Sequence, residues 1–405
     1  MIIVQIYKIF MQKNIRILRK IPQEKKLPYP AMNRENFQFF ITCQAGVETL
    51  VKREAEKIGL KNFDVQDRIV RGQGTEKNLY ELLVQSRFSN RVYIELASAM
   101  VSDFDTLFEV VKNISWKNFL RAGIAIVTEA TAIKSTLSHT PSIQSIAKKA
   151  IVSHLTDGTG THHLYENRDG DEAHIQIFII ENRAHILIDI TGNPLHKRGY
   201  RTESGDAPIK ENLAAAILAI SGWRFREKFL DPFCGSGTFA IEAAMLARNI
   251  APGLGRHFAV ENFPFFEKEI FDTVRREARE KIYPSGNYQI FASDMDAEMT
   301  EIAQNNARRA GVEDDIIFAE KNFFDYEFGE KMTIVTNPPY GERIEANEEI
   351  SNFYEKFVKF FENENISGGF ITSYAEVEKW LPRAKWKNRK LYNGGLPARW
   401  YQKID

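Results

Sequence analysis

From Asn36 onward, apolar residues recur with two alternating periods. Phe37 to Thr42 is strand-like, and Val47, Leu50, Val51, Ala55 and Ile58 then recur at helical spacing up to Gly59, which is placed to cap a helix C-terminus. Val65 to Arg71 predicts a strand, Glu76 to Gln85 a helix and Val92 to Ala99 a further strand. Asp103 can cap a helix running from Thr106 towards Phe119, and Ile124 to Ile133 reads as a strand. In KSTLSHTPSIQSIAKKAIVSHL, Thr140 is expected to cap and Pro141 to take the first helical position. Ile143, Ile146, Ala147, Ala150 and Ile151 form the apolar stripe of that helix, and Lys148 and Lys149 lie off it. Ala173 to Ile180 and Ala184 to Ile190, joined by Glu181-Asn182-Arg183, predict a hairpin.

After the segment TGNPLHKRGYR the pattern changes: strands now alternate with helices. Phe229–Asp231, Gln289–Ser293, Ile316–Ala319, Thr333–Thr336 and Gly369–Ser373 predict strands, and Thr238–Ala247, Ala297–Ala310 and Glu349–Phe361 predict helices. That alternation defines an α/β domain with a doubly wound, mostly parallel sheet. The first half, with strand–helix–strand–strand–helix–strand order and no Rossmann glycines, predicts an α+β, ferredoxin-like layer. A charged segment, Phe265 to Ile282, reads as a solvated surface helix. The expected divisions are an extension at 1–31, a ferredoxin-like region at 32–100, a further region at 101–190, a linker at 191–206 and the α/β domain at 207–405.

Composition narrows the class of protein. At 405 residues, with 43% hydrophobic and 27% charged residues, the chain is long enough for two or three cores. Net charge is zero, so any nucleic-acid binding must come from local patches. Cys43 and Cys234 form no metal pattern, and His139, His154, His162 and His163 lack partners at ligand spacing, so no metal is expected. Few cysteines and no membrane-length apolar run fit a protein of the reducing cytoplasm. Residues 1–31 hold seven Lys/Arg against one Glu; a poorly packed extension, a start codon placed too early before Met32 and a basic arm are the readings available.

The candidate chemistry lies at strand ends. Two adjacent prolines cannot donate to a sheet, so Asn337-Pro338-Pro339-Tyr340 must end the strand before it and present an amide, free carbonyls and an aromatic ring. Asp231-Pro-Phe233-Cys-Gly235-Ser-Gly237-Thr238 joins the first strand to a helix through glycines that let a ligand approach the backbone. No Gly-Lys-Ser/Thr follows, which disfavours nucleotide hydrolysis. Asp294 follows the second strand, where a carboxylate can hold a ribose diol, while Asp296 fits a helix cap. Asn322-Phe323 follows the third, a polar edge beside a ring, suited to an adenine. Together these positions point to a nucleoside-bearing cofactor.

DPFCGSGT, SDMD, NFF and NPPYGER, in that order, resemble the motifs of Rossmann-like class I S-adenosylmethionine-dependent methyltransferases, in the branch that methylates exocyclic amines. Ala207-Pro-Ile-Lys210-Glu-Asn212-Leu-Ala resembles that branch's further cofactor-contacting segment. KSTLSHTPSIQSIAKKAIV, LHKRGYR and the ending Arg389-Lys-Leu-Tyr-Asn-Gly-Gly resemble the THUMP-domain RNA methyltransferases of the RlmL-like group, which act on guanine N2 of large-subunit rRNA. The resemblance, over about residues 33–405, implies S-adenosylmethionine as cofactor and RNA as partner, and makes 101–190 the THUMP core. It implies that Lys210, Asn212, Asp231, Phe233, Gly235, Gly237 and Thr238 hold the cofactor, Asp294 its ribose, and Met295, Asn322 and Phe323 its adenine. Relatives often carry Asp where this chain has Asn322.

By the same resemblance Asn337, Pro338, Pro339 and Tyr340 form the catalytic motif. Accepting both N–H groups of the target amine would aim its lone pair at the methyl, and Tyr340 would stack on a base taken out of its own stack. Lys134, Lys148, Lys149, Lys197, Arg198 and Arg201 are candidate phosphate contacts. The motif serves adenine N6 as well as guanine N2, tRNA is the alternative to rRNA, and a non-catalytic RNA-binding factor is the rival of another class.

Overall fold

The computed structural model describes residues 36–159, 163–167, 169–202, 208–340, 347–393 and 396–404. The expected extension at 1–31, part of the linker, Ala207, Gly341-Glu342-Arg343, His162 and the glycine pair at 394–395 lie outside the described residues.

The first half contains β1 (Phe37–Cys43), α1 (Glu48–Lys57), β2 (Lys61–Gln66), β3 (Ile69–Gly74), α2 (Glu76–Gln85) and β4 (Ser89–Met100), then α3 (Phe104–Lys112), β5 (Ala125–Ile133), α4 (Thr140–Leu155), β6 (Glu172–Ile180) and β7 (Arg183–Asp189). Its sheet has the order β2-β3-β1-β4-β7-β6-β5. The first six elements form the ferredoxin-like unit, with β1 antiparallel to both β3 and β4. β4 then pairs with β7, so the sheet runs on without a break into the strands that follow.

Three expectations need correction here. The single strand expected at Val65 to Arg71 is a hairpin, β2 and β3, reversing at Asp67-Arg68 with Arg68 at φ +62°. The helix expected to reach Phe119 stops at Lys112; the indole N–H of buried Trp116 donates to the Val111 carbonyl (2.8 Å), satisfying a carbonyl at the helix end. α4 begins one residue early, with Thr140 inside the helix and the His139 ring accepting from the Ser142 N–H. The expected hairpin does form as β6 and β7, turning at Glu181 and Asn182, both at positive φ.

The second half contains α5 (Glu211–Ser221), β8 (Phe229–Asp231), α6 (Thr238–Ala247), α7 (Lys268–Glu280), β9 (Ile290–Asp294), α8 (Ala297–Ala310) and β10 (Ile316–Glu320), then β11 (Met332–Thr336), α9 (Asn347–Phe360), β12 (Ile366–Thr372), β13 (Trp386–Asn393) and β14 (Leu396–Lys403). The sheet order is β10-β9-β8-β11-β12-β14-β13, parallel except for β14, which runs against both β12 and β13. One face carries an aliphatic core on α5, α6 and α8; the other carries an aromatic cluster built on α9, in which the Phe357 and Phe370 ring centroids are 5.0 Å apart.

The charged helix α7 is not a solvated surface element. Phe271, Val274 and Ala278 are buried in the core of the first half, and the Phe271 ring lies 5.4 Å from Tyr80 of α2. Lys77 of α2 and Glu277 of α7 pair across the contact at 3.0 Å. The chain leading to α7 passes so close to α2 that a Cβ on Gly253 would stand 2.5 Å from the Leu83 carbonyl oxygen. Segments of the second half therefore complete the core of the first.

Candidate active site

Parallel pairing of β8 with β9 and β11, and of β9 with β10, aligns four carboxyl ends along one edge, where open α/β sheets bind ligands. A cavity of about 810 Å³ opens there. Asp231 ends β8 and is almost wholly buried. The Thr336 hydroxyl, at the end of neighbouring β11, donates to its Oδ1 at 2.7 Å. Burial pushes the Asp231 carboxyl up to about 7, against the opposing pull of the Thr336 hydroxyl and the Phe233 N–H. Asp294 ends β9, and its Oδ2 accepts the Gly235 N–H at 2.9 Å, which pins the glycine loop to the next strand. Gly235 and Gly237 both have positive φ (+48° and +83°), and a Cβ on Gly237 would meet Ala303 of α8 at 3.0 Å.

Of the expected cofactor residues, Asp231, Phe233, Gly235, Thr238, Asp294, Met295, Asn322 and Phe323 line this cavity, and Asn337 and Pro339 line it from the acceptor side. Met295 is 70% exposed, an apolar side chain left open beside the cavity. Asp296 caps α8, accepting from the Glu298 N–H at 2.9 Å. The Asn322 Oδ1 already accepts the Phe324 N–H at 2.9 Å. One further lone pair on that oxygen and the side-chain N–H groups remain to meet an adenine edge. The Phe323 ring is buried among Phe233, Phe357 and Phe360, with Phe324 less buried beside the same cavity.

Other expected residues are not among those that line the cavity. Asn212 is buried and donates to the Phe88 and Ser89 carbonyls of the first half, because an amide inside the domain joint must find acceptors. Lys210 precedes α5, its backbone N–H facing the Asn393 side chain at 3.4 Å. Tyr340 is half-buried and packs on the aromatic cluster of α9, while the Pro339 carbonyl accepts from the Tyr354 hydroxyl at 3.2 Å.

Among the expected phosphate contacts, Lys134, Lys149 and Lys197 are exposed. Lys148 is held by Glu166 and the Ile126 carbonyl. Arg198 is buried against Glu242 (3.3 Å) and also donates to the Leu195 and Arg87 carbonyls. Arg201 donates to the Thr238 hydroxyl and the Ile209 carbonyl, both at 2.8 Å. Arg198 is withdrawn from solvent because a buried charge demands partners inside the protein, whereas Lys148 and Arg201 are half-buried and already partnered.

Pro208 and Ile209, from the segment expected to contact the cofactor, also line the cavity, and sequence reasoning missed Phe353 beside them. It also missed Met299 and Ile302, which join Met295 at helical spacing and gave the one signal that could have been read. Among the described residues no helix is long and apolar enough to cross a membrane, and no three His, Cys, Asp or Glu gather as metal ligands.

A glycine loop, two strand-end acids and an exposed methionine around one cavity fit S-adenosylmethionine, and this fold with this site defines an S-adenosylmethionine-dependent methyltransferase. The family model described as the RMKL-like methyltransferase domain matches residues 198–402, and that of the RlmL ferredoxin-like domain matches residues 38–93. The chain belongs to this RlmKL family of methyltransferases. It is 36% identical to YpsC of Bacillus subtilis (strain 168), which is named "Putative RNA methyltransferase", over 91% of this chain and 96% of that one. It is 30% identical to the Ribosomal RNA large subunit methyltransferase K/L of Pseudomonas paraeruginosa (strain DSM 24068 / PA7), over 90% of this chain but only 52% of that longer protein. The crystal structure of SMU.472 complexed with SAH superposes with a TM-score of 0.84 at 36% identity, covering 92% of this chain and 99% of the other.

Proposed function

We propose that the protein methylates the exocyclic N2 amine of a guanine in RNA, with large-subunit ribosomal RNA as the substrate. One observation carries the reading: Asn337 and Pro339 share a cavity with Asp231, Asp294 and Met295, so the acceptor motif and the cofactor residues face one space. When bound, S-adenosylmethionine supplies an electrophilic methyl on a sulfonium. The protein's task is then to align a poor nucleophile and keep water out. The Asn337 amide oxygen and the Pro338 carbonyl accept the two N–H groups of the amine, which localises its lone pair on nitrogen. Asp231, Gly235 and Thr238 hold the cofactor's methionine and ribose part, Asp294 its ribose, and Met295 and Asn322 its adenine. The rings of Phe353 and Phe324 make the cavity wall apolar, and Tyr340 offers a face to a base drawn out of its stack.

RNA as the partner is supported by the names of the relatives and by the ferredoxin-like unit with its continuation at 101–190, which we assign as a THUMP core. Exposed Lys134 and Lys149 are its candidate phosphate contacts, with Lys197 in the linker, 191–206, that leads to the catalytic domain at 207–405, and the cytoplasm is the compartment. The test is to incubate purified protein and labelled cofactor with rRNA and tRNA from a strain that lacks the protein, then digest to nucleosides. Labelled N2-methylguanosine from rRNA is expected. Labelled N6-methyladenosine would overturn the choice of guanine, and label confined to tRNA would overturn the choice of rRNA.

A further inference from the structure

The net charge of the whole chain is zero, but it is not evenly spread. Between Trp380 and Asp405 there are seven Lys or Arg and no Asp or Glu. This stretch forms the hairpin of β13 and β14, and β13 is the edge strand of the catalytic sheet. Lys385, Lys387, Arg389 and Lys390 are all exposed. The acids nearest the hairpin are already engaged. Glu378 pairs with Arg399 (3.2 Å) and accepts from the Tyr401 hydroxyl. Glu48 accepts the Gly46 and Arg68 N–H groups, and Asp67 stands 3.8 Å from Arg68. Lysines on an edge strand also guard against strand-to-strand aggregation, so charge alone does not make a binding surface.

Position supplies the second argument. β13 runs parallel to β12, so its carboxyl end lies on the same sheet edge as the active site. There the Asn393 side chain donates to the Pro208 carbonyl and accepts from the Lys210 N–H, flanking Pro208 and Ile209 of the cavity wall. Towards that end, at Arg389 and Tyr392, the strand also meets the first half of the protein. Arg389 donates to the Gly46 carbonyl at 3.2 Å, and the Tyr392 ring lies 4.8 Å from the Arg68 guanidinium and 5.3 Å from the Lys390 ammonium. Exposed cations thus run from the amino end of β13, past the contact with the first half at Arg389 and Tyr392, to the cavity mouth at Asn393.

We infer that the exposed edge of β13, with Arg68, is a track for the phosphodiester backbone of the RNA strand whose base enters the cavity. The inference rests on the RNA reading above. Each lysine that meets a phosphate adds affinity that falls with salt, by roughly 0.7 in the slope of log K against log salt for a single strand.

The test is the variant Lys385→Gln/Lys387→Gln/Lys390→Gln, assayed on an rRNA fragment that the wild type methylates. The expected result is a rise of about tenfold in KM for RNA with kcat unchanged, and a salt slope shallower by about 2. Calorimetric affinity for S-adenosylmethionine should match the wild type, which reports on folding. Should the triple variant lose cofactor binding, the single Lys387→Gln must still flatten the slope by about 0.7. RNA affinity within twofold of wild type at an unchanged slope overturns the track and leaves the function intact. Absence of RNA binding by the wild type overturns the function and the track with it.

Discussion

The strand-end site and the domain joint both place charged side chains in the interior, and they use them in opposite ways. At the strand ends, Asp231 accepts from the Thr336 hydroxyl and Asp294 from the Gly235 and Asp296 N–H groups, and both still face the cavity. In the joint, guanidinium groups end on main-chain carbonyls: Arg87 on Ile250 (2.8 Å), Arg198 on Arg87 (2.5 Å) and Leu195, Arg256 on Asn193. Five donors in a rigid fork suit arginine to tying irregular chain from two halves together. A basic linker motif such as HKRGYR is therefore as compatible with a buried lock as with an RNA contact, and exposure decides between them. Arg198 is a lock, while its neighbour Lys197 faces solvent.

The largest effect expected is at the lock itself. Arg198→Met leaves Glu242, whose side chain is fully buried, without its counter-ion, a loss of about 3–5 kcal/mol. Chemical denaturation should register this in full. A phosphate contact would instead leave stability intact and shift only RNA affinity, so an unchanged midpoint would reverse the assignment.

Next is the acceptor motif. Asn337→Ala should lower kcat by about 100- to 1000-fold, the scale on which a single positioned polar group acts in a transition state. Calorimetric affinity for S-adenosylmethionine should stay within twofold, since the cofactor residues lie on other strands. A joint loss of cofactor affinity and rate would mean that the two ends of the cavity cannot be separated as drawn.

A smaller effect belongs to the close approach at Gly253. Its Cβ-free backbone donates to the Val84 carbonyl at 2.9 Å, and an added methyl must push α2 away. Gly253→Ala should cost about 1–3 kcal/mol in thermal or denaturant unfolding. Cofactor affinity measured below the transition should be unaffected, because the strand ends do not pass through this contact. Full stability in the variant would show that the two halves are not clamped here.

The same contrast explains what the sequence revealed and what it hid. The strand-end site was legible because each of its parts is local: Asp231, Asp294, Asn322 and Asn337 each follow a short apolar run, and the doubly wound pattern places those ends together. The joint was not legible, because its meaning lies in pairs far apart in the chain. Nothing near Asn212 in sequence announces its contacts with Phe88 and Ser89, and nothing near Glu242 announces Arg198. In α7 the alternating charges of Arg275, Arg276 and Glu277 drew attention from the stripe of Phe271, Val274 and Ala278, which carries the packing. β13 and β14 escaped notice for another reason. As an edge hairpin, β13 is exposed along most of one strand and lacks a strong alternating pattern.

The finest distinction concerns protons. With its carboxyl pushed up to about 7 from an ordinary 3.8, Asp231 keeps its proton in the cofactor-free protein over that window while the unfolded chain loses it. The native state then binds more protons than the unfolded one, so this group's contribution to stability falls as pH rises from about 4 to 7. A cation brought near the carboxylate favours its ionised form. Binding of S-adenosylmethionine, with its sulfonium and ammonium charges, should therefore release up to one proton, and its affinity should weaken as pH drops below 7, by at most about tenfold per unit. Calorimetry in two buffers of different ionisation enthalpy near pH 6.5 measures that proton directly. Asp231→Asn should abolish the release and flatten the pH dependence of affinity, although binding itself is weaker. Proton release persisting in that variant would assign the titration to a group other than the strand-end acid, and would place Asp231 with the closed charges of the joint instead of the open ones of the site.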